Sequence, residues 1–180
     1  MMRKKKNSIK KNFNKNKYNI ILIIIAIIFA VFLLANIIDN ISNKNLSKYD
    51  NEMIVIKNKD NEITSLSLRD IRKMGGQNSK INQHSDVVID IEGLSLDRLI
   101  NKVDIDPNLN NIIEFIDGKG NKTSIALESA LEVDRVYLVY KTINKANIDF
   151  DKKLGVFYVV DKQQKDANKW IKNVKIINIK

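Results

Sequence analysis

The chain has 180 residues, which is enough for one ordinary domain and a small additional segment. Its formal net charge is +10, but residues 1–19 hold 8 of the 31 Lys and Arg residues and no acid, so 23 basic residues face 21 acids in the remainder. Such a tail lacks the distributed cationic groove that nucleic-acid binding needs, so we expect no nucleic-acid partner. The absence of cysteine excludes disulfides, thiolate-bound zinc and iron–sulfur clusters.

Residues 1–19 are predicted to be a basic cytoplasmic tail, and residues 20–38 a transmembrane helix. The apolar run carries no charge and one polar side chain, Asn36, and a helix of its length spans roughly 28 Å, close to the hydrocarbon thickness of a bilayer. The lysines before it predict a cytoplasmic N-terminus, which leaves the C-terminal part outside the cell membrane. A cleaved signal peptide is the alternative, but its apolar core is usually shorter, about 7–15 residues, and we favour an uncleaved anchor.

Residues 39–50 are polar and are interpreted as a short stalk, and residues 51–180 as an extracytoplasmic domain. Short helices are predicted after Ser67, at 94–103 and at 127–131, and Ser67 and Asp70 have the spacing of a capping box. Seven short runs rich in β-branched and aromatic residues predict strands, at 52–57, 86–92, 111–116, 122–127, 136–140, 155–160 and 174–179. KDNE, at 59–62, is expected to turn the first of them, and ITSL, at 63–66, to pair back on it.

Two glycines refine this outline. Asp117–Gly118 predicts a hairpin, and Gly93 is expected to end the second strand. The predicted fold class is therefore α+β, with a mixed sheet of about seven short strands and two or three short helices behind the N-terminal helix.

Three local patterns resemble known sites but lack the residues that their chemistry needs. The segment GKGNKTS, at 118–124, has Asn121 where a phosphate-binding loop needs the glycine directly before Lys122, and no long helix follows it, so it is not such a loop. Asp149 and Asp151 lack the glycine and the glutamate of a calcium loop. His84 is the only histidine and lies in a polar segment, so it is expected to be a solvated surface residue.

An ordered set of short motifs runs from Leu66 to Ile179. A glycine and three leucine-like positions mark a helix, an Asp-Gly hairpin leads to an Ala-Leu turn, a glycine-led strand follows, and a Trp-containing segment closes the chain. The residues are Gly93, Leu96, Leu99 and Ile100, then Asp117, Gly118, Ala130 and Leu131, then Gly155, Phe157 and Val160, and finally Trp170, Ile171, Lys172, Val174 and Ile177. This order resembles the sulfite-oxidase-type molybdopterin-binding domain, in the small membrane-associated form of many bacteria. The resemblance implies that Trp170 leads into a terminal strand paired inside the sheet.

The same resemblance implies a molybdenum cofactor, which the catalytic members hold through a cysteine thiolate that this chain lacks. The segment where that cysteine is expected reads GGQNSKINQHSD, at 75–86. Arginines that would hold the pterin phosphate are also few in the outer domain. We therefore predict no catalytic residue, no metal ligand and no cofactor, with molybdopterin retained by resemblance only. Weak candidates for cofactor binding are His84, Arg98 and Lys169.

The sequence favours a single-pass membrane protein that displays a non-catalytic domain for ligand or protein binding at the cell envelope. A molybdopterin-dependent oxidoreductase that binds its cofactor without a cysteine ligand is the first alternative. A bitopic scaffold of a membrane complex is the second. The expected partners are the lipid bilayer and an envelope ligand or protein.

Overall fold

The computed structural model describes residues 19–37, 45–83, 87–103, 105 and 110–180. They fall into two compact units, divided between residues 41 and 42. The first contains helix α1 (Asn19–Ile37), which is long and apolar enough to cross a membrane and whose side chains are exposed. The candidate membrane-spanning helix predicted from the sequence is therefore present, and Ile38 lies outside the described residues.

The second unit is an α+β domain of short elements. Its strands are Met53–Asn58 (β1), Asn61–Ser67 (β2), Gln77–Asn82 (β3), Val88–Ser95 (β4), Ile112–Asp117 (β5), Lys122–Ala126 (β6), Val136–Thr142 (β7), Lys145–Ala146 (β8), Tyr158–Asp161 (β9) and Val174–Ile179 (β10). Its helices are Leu68–Lys73 (α2), Leu96–Lys102 (α3), Leu127–Leu131 (α4) and Asn147–Phe150 (α5), with 3₁₀ turns at Ser47–Tyr49, Lys152–Leu154 and Ala167–Lys169.

The strands form two sheets. The first has the order β2-β1-β10-β5-β6, and the second has the order β3-β4-β7-β8, with β9 also paired to β7. In the first sheet β10 runs parallel to β1 and antiparallel to β5, so the last strand of the chain lies at the centre of a mixed sheet. The resemblance had implied that central position, and the pairing confirms it.

Strand β7 is buried on both faces and joins two cores. Leu138 and Tyr140 belong to a large cluster that also contains side chains of the first sheet, whereas Tyr137 and Val139 belong to a smaller cluster with Tyr158. The alternation follows from the two-residue period of a strand, which sends successive side chains to opposite faces. A strand of this kind reads as a continuous apolar run, as VYLVY does.

The predicted element count was too low. The described residues contain ten strands in two sheets, where about seven in one mixed sheet were predicted, and the domain has four short helices. The expected return of ITSL onto the first strand is confirmed as part of β2, which pairs antiparallel to β1. Strand β3 was missed because QNSKIN is largely polar, and it is held by antiparallel pairing with β4. Polar edge strands carry little hydrophobic periodicity, so partner strands decide their conformation.

Gly93 was expected to end the second predicted strand, and this prediction is wrong. Strand β4 continues to Ser95, with a register shift between Glu92 and Gly93. A Cβ added at Gly93 would lie 2.5 Å from the Leu138 carbonyl oxygen, so glycine is needed there for close approach of β7.

Local signals proved reliable where they rest on main-chain hydrogen bonds. The capping box at the start of α2 is confirmed, since Ser67 Oγ accepts from the Asp70 N–H at 3.1 Å and the Asp70 carboxylate accepts from the Ser67 N–H at 3.0 Å. The Ser67 hydroxyl also holds the pKa of Asp70 below its usual value. Leu46, which the sequence assigns to the stalk, is buried in the large core cluster.

Candidate functional site

A polar groove separates the β5–β6 hairpin from residues 161–172. Two adjoining cavities of about 220 and 480 Å³ form it, and they share Thr123, Lys169 and Ile171. One wall is therefore the edge of the first sheet, and the other is the segment that follows the β9 edge of the second sheet. Ile125, Val136 and Val159 supply the apolar lining of the smaller cavity.

The hairpin wall is fixed by its own tip. The Asp117 carboxylate accepts hydrogen bonds from the Lys119 N–H at 2.8 Å, from the Asn121 N–H at 2.9 Å and from Asn121 Nδ2 at 2.8 Å. These bonds, the Asn121 side chain foremost, hold the pKa of Asp117 below its usual value. The hairpin predicted from Asp117–Gly118 is confirmed, and it carries Thr123 toward the groove.

The two walls touch at the hairpin tip. The Gly118 N–H donates to the Asn173 carbonyl at 3.0 Å, and a Cβ at Gly118 would lie 2.5 Å from Asn173 Nδ2. This close approach fixes the width of the groove at one end, and it explains why glycine suits that position.

The opposite wall begins with a capped turn. Asp166 accepts from the Asn168 N–H at 2.9 Å, which shapes the turn Ala167–Lys169. Ile171 then exchanges two main-chain hydrogen bonds with Val159, at 2.8 and 3.0 Å, so this segment adds a bridge to the outer side of β9. Lys169 and Lys172 project from it along the groove, and no ion pair to either is found within the described ranges.

Trp170 lies between these lysines and packs inward. Its ring stacks on Tyr158 with 5.2 Å between centroids and 15° between planes, and it is 8% exposed. The indole Nε1 is a buried donor without a hydrogen-bond partner in the part of the chain that the structure describes.

Both acids of the groove are hydrogen-bonded within the protein. Asp161 is held by Arg135, whose Nε and Nη2 lie 3.1 and 2.9 Å from Oδ2, and the same pairing raises the pKa of the guanidinium. Asp117 is bonded to neutral N–H groups of its hairpin and keeps its negative charge. Lys169 and Lys172 therefore outnumber the one lining carboxylate that has no ion pair among the described residues.

Two of the three predicted site residues, Arg98 and Lys169, are described, and they lie in different parts of the domain. Lys169 lies in the groove, whereas Arg98 is exposed on α3 and contacts β3. There the Gln77 amide oxygen, oriented by the hydrogen-bond network, accepts from Arg98 Nη1 and Nη2 at 3.0 and 2.8 Å. His84 lies outside the described residues.

Sequence reasoning missed Asn121 and Thr123 as site residues. The hairpin signal and the Trp-Lys tail were each visible, but they are about 50 residues apart in the chain, and no local pattern connects them. Only the packing of the two sheets brings them to one groove.

A second polar cluster lies inside the domain. Asn147 accepts from Thr142 Oγ1 at 2.9 Å, and its Nδ2 donates to the main-chain carbonyls of Val139 and Val156 at 2.7 and 2.9 Å. The same hydroxyl lies 3.0 Å from Tyr158 Oη. The cluster is buried and internally satisfied, so it positions Tyr158 beneath Trp170 instead of facing a ligand.

The residues present do not fit a thiolate-ligated molybdopterin. The sequence has no thiolate, and no group of three or more His, Asp or Glu side chains placed to hold a metal ion is found among the described residues. Arg69 and Arg72 both pair with Asp50, at 3.6 and 3.1 Å, and Arg135 is committed to Asp161. The fourth arginine of the domain, Arg98, is hydrogen-bonded to Gln77. The guanidinium groups of the domain are therefore engaged within the protein, and no set of them is placed to hold a pterin phosphate.

No protein-family model matches the chain. No curated protein matches it. Among solved structures it is similar to the sulfane dehydrogenase SoxCD from Paracoccus pantotrophus, with 15% sequence identity and a TM-score of 0.49. The similarity covers 73% of this chain and 38% of that chain, so this chain spans well under half the length of the protein it matches. A similarity of this extent concerns the course of the backbone alone, and function has to be argued from the groove.

Proposed function

We propose that the protein is a single-pass membrane protein whose outer domain, of the sulfite-oxidase-like fold, binds an envelope ligand or protein without catalysis. The groove is its binding site. The observation that carries this proposal is a groove between the two sheets that is lined by apolar side chains and by two lysines, Lys169 and Lys172, to which the described residues form no ion pair.

The groove offers binding groups and lacks a catalytic pair. Its two acids, Asp117 and Asp161, are hydrogen-bonded carboxylates, and the lowered pKa of Asp117 makes it a poor proton acceptor near neutral pH. Ammonium, hydroxyl and amide groups remain from Lys169, Thr123 and Asn168, together with apolar lining. This combination suits recognition of an anionic ligand with apolar parts.

The anchor follows from α1. A helix of 19 residues with no charged side chain is stable across a bilayer because every main-chain polar group is bonded within the helix. The lysines of residues 1–19 then hold the N-terminus in the cytoplasm, and the domain is displayed outside.

Single-cysteine labelling tests the topology, because the natural chain has no cysteine. Lys5→Cys and Lys165→Cys are expressed separately in intact cells and treated with a membrane-impermeant maleimide. We expect labelling at position 165 only, with both labelled after lysis. Labelling of position 5 alone in intact cells, or release of the domain into the medium, would contradict the proposed anchoring.

Elemental analysis and native mass spectrometry test the absence of catalysis by a molybdenum cofactor. The full chain is purified in detergent from a host that makes this cofactor, with a thiolate-ligated molybdoenzyme from the same host as the positive control. We expect no molybdenum or pterin mass above trace level. Near-unit occupancy would overturn the non-catalytic proposal in favour of the oxidoreductase.

A further inference from the structure

We propose that the groove takes an extended acidic peptide, which adds as a strand along β6. This inference rests on the groove being a binding site and specifies what it binds. Three features of the groove support it: a free strand edge, apolar lining residues and an excess of positive charge.

The free edge is that of β6. It is the outermost strand of the first sheet, paired with β5 on one side, and no strand of the described residues pairs with its other side. Its five residues extend over about 17 Å, which is long enough for several main-chain hydrogen bonds. Strand edges of this kind bind peptides by adding a strand to the sheet.

The groove runs beside that edge. Thr123 and Ile125, two residues apart on β6, both line it, and Val159 and Ile171 line the far side. Alternate side chains of an added strand would therefore point into the groove, where they meet the apolar lining and the ammonium groups of Lys169 and Lys172, while the intervening ones would point away from it.

Positive charge selects an acidic sequence. Lys169 and Lys172 line the wall opposite the hairpin, whereas the two groove acids, Asp117 and Asp161, are engaged within the protein. A peptide carboxylate meets two ammonium groups and one ionised carboxylate without an ion pair, Asp117, so the balance of charge favours an acidic peptide over a basic one.

A sugar fits less well than a peptide. Sugar rings stack on exposed aromatic faces, but Trp170 is 8% exposed and one face of its ring is covered by Tyr158.

Trp170 is also the reporter for the test, because it is the only tryptophan of the chain. The full chain in non-ionic detergent is titrated with the soluble heptapeptide Val-Ser-Asp-Ser-Val-Ser-Asp, which presents valine and aspartate on the same face of a strand, and the Trp170 fluorescence is recorded. One control is the same peptide with lysine in place of aspartate. Two further controls are acidic peptides N-methylated on alternate residues, so that each blocks the main-chain N–H groups along one edge of the peptide strand. We expect at least tenfold weaker binding of the basic peptide and of one N-methylated peptide, and less than threefold loss for the other.

Lys169→Ala tests the charge, with Lys165→Ala as the matched control, since Lys165 is exposed on the same segment and does not line the groove. We expect Lys169→Ala to weaken binding of the acidic peptide about fivefold and to reduce its salt dependence, and Lys165→Ala to leave both within twofold. Equal effects of the two substitutions would mean that a general surface field attracts the peptide, and would overturn the assignment to the groove.

The other outcomes separate this inference from the proposed function. If both N-methylated peptides bind equally, the contact is electrostatic without strand addition and the inference is wrong. If no peptide binds but citrate or vesicles of anionic phospholipid shift the Trp170 signal in a Lys169-dependent way, the groove is a binding site for small anions or headgroups, and only the peptide inference fails. If none of these probes changes the signal, the groove assignment fails as well.

Discussion

Replacement of Gly76 by alanine should destabilise the domain through one contact. Gly76 joins the end of α2 to β3, and an added Cβ would lie 1.7 Å from Tyr140 Oη and 3.0 Å from Cζ. Tyr140 is 1% exposed and donates a hydrogen bond at 3.0 Å to Glu92 Oε1, while Lys141 Nζ donates at 2.9 Å to Glu92 Oε2. The phenol therefore cannot move aside without losing a charge-assisted hydrogen bond or compressing the core.

The expected magnitude combines two terms. Overpacking costs about 1–3 kcal/mol, and loss of a hydrogen bond to a charged group costs about 1.5 kcal/mol, so Gly76→Ala should lower the unfolding free energy by about 3 kcal/mol. Tyr140→Phe alone should cost about 1.5 kcal/mol. The double variant removes the atom at 1.7 Å and keeps only the contact at 3.0 Å, so we expect it to cost about 2 kcal/mol, well below the sum of the two single effects.

The assay is urea unfolding of the full chain in detergent, followed by Trp170 fluorescence, which reports on the outer domain alone. Gly75→Ala is the matched control, because its added Cβ would have no atom within 4 Å, although its φ of +98° makes alanine strained by about 1–2 kcal/mol. That strain should add independently to the effect of Tyr140→Phe. Additive effects for Gly76→Ala and Tyr140→Phe would refute the reasoning, because the cost would then not come from the phenol.

Three further predictions concern buried and hairpin groups. Asn147→Ala should cost about 3 kcal/mol, because two main-chain carbonyls lose their donor in the core; urea unfolding measures it, and a cost below 1 kcal/mol would contradict the buried network. Burial raises the pKa of Tyr158 to about 12, whereas the phenol of the unfolded chain ionises near pH 10. The stability that the buried neutral phenol contributes is therefore complete below about pH 10 and is lost as the pH rises through about 12. Tyr158→Phe should flatten this alkaline decline of the melting temperature in thermal scans. The lowered pKa of Asp117 stabilises the hairpin above the unfolded pKa near 3.9 and ceases to do so as the pH falls through the folded value; Asn121→Ala should raise that pKa in an NMR titration, and an unchanged titration would refute the assignment.

The sequence pointed to one residue of the candidate groove but not to the groove itself. Lys169 lies in the groove, but Trp170 packs against Tyr158 of the second sheet, while the strand it precedes, β10, lies in the first. The chain crosses from one sheet to the other within residues 170–174. No apolar pattern records that crossing, because both ends of it are equally apolar.

The sequence by itself determined those features that lie within a single turn or a single apolar segment. The length and apolarity of α1, the capping box of Ser67 and Asp70, and the Asp117 hairpin each depend on interactions between residues a few positions apart. Their free energies are local, so composition and spacing are enough to predict them.

Only the tertiary structure decided which strands meet. Polar strands β2 and β3 exist because β1 and β4 pair with them, and β10 joins β1 across more than 100 residues of chain. A strand can bury its apolar face by joining either sheet, so the residues of one strand do not determine which partner strand it pairs with. The groove exists because the outer edge of β6 and the segment after β9 lie opposite each other, and no strand of the described residues fills the space between them.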